Sequence, residues 1–152
     1  MDDREAILVR LLAIAGGLQT AKYAARNLPA IDEDDIALPA VIVLDGDEDA
    51  IDDEPSKRPS AVPRWVEMTP MLHIVMGSKP EDIGTELNLV RAELIKTVLL
   101  DPTLNQICKR GGNRGGVRYD GMESARNEAG RLVVGQRYMR FTFGYLLIPD
   151  RL

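Results

Sequence analysis

Residues 64–100, RWVEMTPMLHIVMGSKPEDIGTELNLVRAELIKTVLL, change hydrophobic period midway, and that change decides the fold class. Up to Gly77 the period is two. Val66, Met68, Leu72, Ile74 and Met76 fall on one side, and Glu67, Thr69, Met71, His73 and Val75 on the other, which is the alternation of a β-strand. Pro70 cannot donate to a ladder, so it points to an edge position or a bulge. After Gly77 the period lengthens. Ser78 and Glu81 form a capping-box pattern, and Ile83, Leu87, Val90, Leu94 and Val98 make one apolar stripe of a helix running to about Leu100. Asp101-Pro102 ends it.

Before this stretch lies a second strand, Val41–Leu44, in PAVIVLDGD. The chain starts with a helix over Asp3–Ala15, with Ile7, Leu8, Leu11, Leu12 and Ala15 at helical spacing and Gly16-Gly17 as its stop. LQTAKYAARN reads as a further helical turn or two, and LPAIDEDDIALPA as a loop interrupted by Pro29 and Pro39. After the long helix come a short helical turn in TLNQIC, a glycine-rich loop KRGGNRGG, a strand in VRYDGM, a polar turn around NEAGR and a long last strand. In that strand Val133, Met139, Phe141, Phe143, Tyr145 and Leu147 share one parity. The order predicts a single α+β domain over residues 1–152, an antiparallel sheet of about four strands with helices packed on one face.

Composition narrows function by exclusion. Hydrophobic residues at 45% and charged residues at 28% are globular values, and aromatics at 5% leave little for stacking single-stranded bases. A net charge of −5 opposes a surface devoted to gripping DNA. Cys108 is the only cysteine, so no intrachain disulfide forms and a reducing compartment is expected. The start, MDDREAILVRLLAIAGG, opens with two aspartates and is interrupted by Arg10, which suits an amphipathic helix of a cytoplasmic protein better than a targeting signal or a membrane span.

Residues 45–54, DGDEDAIDDE, hold seven carboxylates in ten positions. With Pro55, Pro59 and Pro63 following, they predict a long mobile acidic loop over about 46–61, inserted in the first hairpin. An EF-hand reading places Asp45, Asp47 and Asp49 correctly but meets Ala50 where glycine is needed and Ser56 where a bidentate glutamate is needed. A two-metal hydrolase or nuclease wants carboxylates spread over several rigid elements, not consecutive ones, and is kept as the alternative function. No catalytic, cofactor or metal residues are therefore assigned, and the chain is read as a non-enzyme. GGNRGG lacks the lysine and hydroxyl of a P-loop. It does supply cations: Lys109, Arg110, Arg114 and Arg118 lie within ten residues free of acid. His73 has no partner at ligand spacing. An acidic loop and a basic loop on one small domain suit head-to-tail contact between identical subunits, which closes into a ring when the rotation permits.

The ordered pattern as a whole resembles the tail terminator and tail-completion (head–tail joining) proteins of long-tailed bacteriophages. It is carried by the helix Arg4–Ala15, LPAVIVLDGDE before the acidic loop, the strand RWVEMTPMLHIVMG, the helix DIGTELNLVRAELIKTVLLDPTL, GGVRYDGMES, and the closing strand RYMRFTFGYLLI. The resemblance implies a ring, typically a hexamer, in the virion's tail or neck, assembled in the host cytoplasm. Such a ring caps the tail tube, ends its polymerisation and meets the head connector or neck protein. Phage DNA passes through its lumen without specific binding, and no membrane is involved. Excess negative charge would let that DNA slide, since each phosphate contact would retain it. The expected contact residues with another subunit or the tube protein are Asp45, Asp47, Glu48, Asp49, Asp52 and Asp53 on the acidic side, Lys109, Arg110, Arg114 and Arg118 on the basic side, and Trp65 as an anchor.

Overall fold

A computed structural model describes residues 1–28, 35–51, 62–77 and 79–152. Its elements are α1 (Asp3–Gly16), β1 (Tyr23–Arg26), β2 (Ala40–Ala50), β3 (Arg64–Val75), α2 (Pro80–Leu99), α3 (Pro102–Ile107), β4 (Gly116–Arg126) and β5 (Leu132–Leu147), followed by a 3-10 turn at Pro149–Arg151. The five strands form one sheet in the order β1-β2-β3-β5-β4. β1 runs parallel to β2, and the other neighbours are antiparallel, so the sheet is mixed and has one strand more than expected.

The extra strand is Tyr23–Arg26, in the segment that sequence reading assigned to helical turns. Gly17 closes α1 by donating to the carbonyls of Ala13 and Ile14, and the chain then pairs Tyr23 with Ala40 through to Arg26 with Val43. Alanine favours helix locally, but a four-residue helix is not self-sustaining, and the open edge of β2 offers ladder hydrogen bonds in its place.

Period-two residues form the core as expected. Val66, Met68, Leu72 and Ile74 of β3, Met139, Phe141, Phe143 and Tyr145 of β5, and Val41 and Val43 of β2 share one sheet face, which meets Ile7, Leu8 and Leu11 of α1 and Leu87, Val90, Leu94 and Val98 of α2. Each such aliphatic side chain contributes about 1.5–3 kcal/mol on burial.

β3 is an interior strand, which excludes the edge alternative for Pro70. Instead Asp45 and Gly46 together oppose Pro70, a bulge in β2 where the missing N–H leaves nothing to pair. Gly46 is required there: its φ is +68°, and a Cβ would stand 2.1 Å from the Thr69 carbonyl oxygen. The capping box is also replaced. α2 begins at Pro80 with Lys79 in the cap position and no side-chain cap, because proline is pre-set for the first helical turn. Ser78 lies outside the described residues.

Arg10 ties the helical layer together. Its Nε and Nη2 donate to Asp101 Oδ1 at 3.0 and 2.6 Å, and Asp101 Oδ2 accepts from the Leu104 amide at 2.9 Å, capping α3.

Candidate assembly interface

Of the acidic stretch, residues 45–50 are strand. Asp47–Ala50 pair with Thr69–Val66 of β3, and the Ile51 amide donates to the Trp65 carbonyl at 2.8 Å. Loop therefore does not begin at Gly46. β-ladder partners on β3 hold these carboxylates in an alternating row even though acidic side chains are poor strand formers. Asp52 and Asp53 fall outside the described residues.

Pairing sorts the acidic side chains into two groups. Arg26 grips Asp45, with Nε to Oδ1 at 2.7 Å and Nη2 to Oδ2 at 2.8 Å, and also grips Glu5 at 2.7 and 3.0 Å. The Asp45 amide donates to Asn27 Oδ1 at 3.1 Å. The guanidinium holds the Asp45 carboxyl below its ordinary range, chiefly by hydrogen bonding, against a smaller opposing effect of burial. Glu48 turns to the core side, where it accepts from the Tyr145 hydroxyl, and burial first and Glu48 second raise the tyrosine's pKa. Arg4 Nη2 donates to the Gly46 carbonyl at 3.1 Å. Asp45 and Glu48 thus also hold the fold together within the subunit. Asp47 and Asp49 remain exposed, on the sheet face opposite the helices.

The basic stretch divides in the same way. Gly111 and Arg114 exchange backbone hydrogen bonds at 3.0 and 3.1 Å, making a tight turn, with Gly112, Gly115 and Gly116 at positive φ. Arg118 is committed: its Nε donates to Asp120 Oδ1 at 2.8 Å, and its Nη2 lies 3.9 Å from Glu67. Lys109 and Arg110 are exposed. Trp65 stands between the two charged segments. Its carbonyl holds Ile51, and its indole occupies the space that Cβ atoms on Gly111 and Gly115 would need.

These placements put both segments at one end of the sheet but on opposite lateral edges. At this end β1 no longer flanks β2, since it pairs only Ala40–Val43. The order across is therefore β2 (Asp47–Ala50), β3 (Glu67), β5 (Gly144) and β4 (Gly116). With strands about 4.8 Å apart, β2 and β4 lie roughly 14 Å from each other here, and the turn before β4 reaches back to the Trp65 indole.

Among the described residues no three His, Cys, Asp or Glu side chains gather as a metal-binding group, and no helix is long and apolar enough to cross a membrane. His73 is buried, stacks on Tyr138 at 4.5 Å and shares a 3.0 Å hydrogen bond between Nε2 and Gln136 Oε1. Arg26, Glu5, Tyr145, Glu67 and Asp120, which decide which charges remain free, were not singled out by sequence reading. Asp120 lies two residues from Arg118, whereas Arg26, Glu5, Tyr145 and Glu67 meet their partners only across segments far apart in the chain.

No family model matches the sequence, and no curated protein matches it. Among solved structures the chain is similar to the bacteriophage SPP1 gp17 protein, with a TM-score of 0.45 and 11% identity over 92% of this chain and 88% of that one.

Proposed function

We propose that this protein is a structural component of a long phage tail, a ring at its head-proximal end. The ring stops growth of the tail tube, joins the tail to the head connector or neck protein, and leaves a channel for DNA. The phage assignment is supported by the ordered sequence pattern described above. Ring formation is supported by one structural observation: free acidic and free basic groups sit at the same end of the sheet, on opposite lateral edges. Subunits related by rotation keep the same height, so the acidic edge of one meets the basic edge of the next, a heterologous contact that can close. An excess of negative charge on such a ring keeps DNA mobile in its lumen.

Light scattering on the purified chain, alone and with tail tube protein, tests this reading. A discrete multimer near six subunits is expected. A strict monomer indifferent to tube protein overturns the ring. A saturable gain in thermal stability with divalent ions would then favour the hydrolase alternative.

A further inference from the structure

We propose that the groove beside Gly116 is the receptor of the subunit contact, and that its occupant is the carboxylate pair Asp47 and Asp49 of a second copy of this chain. The inference rests on the ring reading and adds to it which groups meet.

The groove encloses about 350 Å³ and is lined by Glu67, Arg110, Asn113, Gly116, Arg118 and Thr142, among others. Its cation is Arg110. That side chain lies along Gly116, where a Cβ would stand 3.0 Å from Nε and 3.3 Å from Cγ. Gly116, at φ +97°, is therefore what leaves room for the guanidinium. Among the described residues Arg110 has no ion-pair partner, whereas Arg118 in the same groove is held by Asp120 and Glu67. The groove thus offers one uncommitted guanidinium, whose planar fork matches a carboxylate.

The donor side is equally defined. Asp47 and Asp49 alternate with Glu48 along β2 and pair across from Thr69 and Glu67, which puts them on the same sheet face as Arg118. Within one subunit Glu67, the ladder partner of Asp49, stands between Asp49 and the Arg110 guanidinium and repels it. A laterally adjacent copy brings the pair to the groove. Duplex DNA is the poorer occupant: one free cation beside Glu67 and Asp120 cannot neutralise a run of phosphates.

The test uses the full chain and three variants: Arg110→Glu, the pair Asp47→Lys with Asp49→Lys, and the chain carrying all three changes. Solution mass is read by light scattering, and a labelled synthetic peptide of residues 45–51 is titrated against each by fluorescence anisotropy. Arg110→Glu and the Lys pair are expected to lose the multimer, and the triple variant, with charges exchanged, to regain it. The peptide should bind the Lys-pair variant, whose groove is empty, at least about tenfold more tightly than the same variant carrying Arg110→Glu. A multimer unaffected by Arg110→Glu, a triple variant that stays monomeric, or peptide binding indifferent to residue 110 overturns the receptor. So does a DNA duplex that displaces the peptide. A wild-type chain that never multimerises overturns the ring alone, and the peptide titration then still decides the groove.

Discussion

The indole of Trp65 occupies the space that a side chain at residue 111 would need: a Cβ on Gly111 would come within 2.5 Å of Cζ2. One aromatic side chain at the foot of β3 therefore fixes the shape of the basic turn, while its own carbonyl holds Ile51 at the end of the acidic strand. Gly111→Ala is expected to push the turn off the indole and lower stability by about 1–3 kcal/mol, the usual penalty of overpacking. Chemical denaturation followed by Trp65 fluorescence measures this, as Trp65 is the only tryptophan. An unchanged midpoint would mean that the turn adapts freely.

Gly46 is the more demanding glycine, since the obstacle is backbone and the φ is positive. Gly46→Ala should cost at least about 1–3 kcal/mol from strain alone. It should also disturb the register of Asp47–Ala50 against β3, which slowed or accelerated amide exchange at Glu48 and Asp49 would report.

Arg10 and Asp101 predict an acid-sensitive joint. The Arg10 guanidinium, first by hydrogen bonding, holds the Asp101 carboxyl below its ordinary range, and the Leu104 amide adds to this against the effect of burial. A depressed carboxyl pKa contributes stability that is present above the unfolded value of about 3.9 and is lost as pH falls through the lower folded value. Asp101→Ala removes that dependence and an N-cap together. A loss of about 1–2 kcal/mol at pH 7 is expected, discounted for the partial exposure of Arg10. The acid limb of the stability curve below pH 4 should flatten. Equal steepness in both proteins would place the acid sensitivity elsewhere.

His73 works in the opposite range. Burial lowers its pKa from the ordinary 6.5, and the hydrogen bond with Gln136 offsets part of that. With the folded pKa below the unfolded one, the unfolded chain binds more protons, so stability falls as pH drops below about 6.5. The slope reaches at most about 1.4 kcal/mol per pH unit. Denaturation midpoints at pH 7.5 and 5.5 should differ in the wild type and differ less in His73→Gln.

Cys108 should be chemically silent. Its thiol is 1% exposed, and burial pushes its pKa up to about 12. A thiol reagent at pH 8 is expected to label the chain only at the rate of unfolding. Prompt labelling of the native protein would contradict the packing of α3.

Elements with a long and regular hydrophobic period were legible from the residues alone. β3, α2 and β5 read directly, because a stripe of buried side chains needs the same spacing wherever it packs. The free cation Arg110 and the exposed Asp47 and Asp49 were also visible as charge. Tertiary structure decided the remainder. β1 is too short to carry a period of its own and became a strand only because β2 presented an open edge. Pro70 kept its two readings until a bulge in β2 chose one. Which charges are free followed chiefly from pairs distant in the chain, Arg26 with Glu5 and Asp45 and Tyr145 with Glu48, although Arg118 is held first by its near neighbour Asp120. Charge along a chain is local information, whereas its neutralisation is a property of distances that exist only after folding.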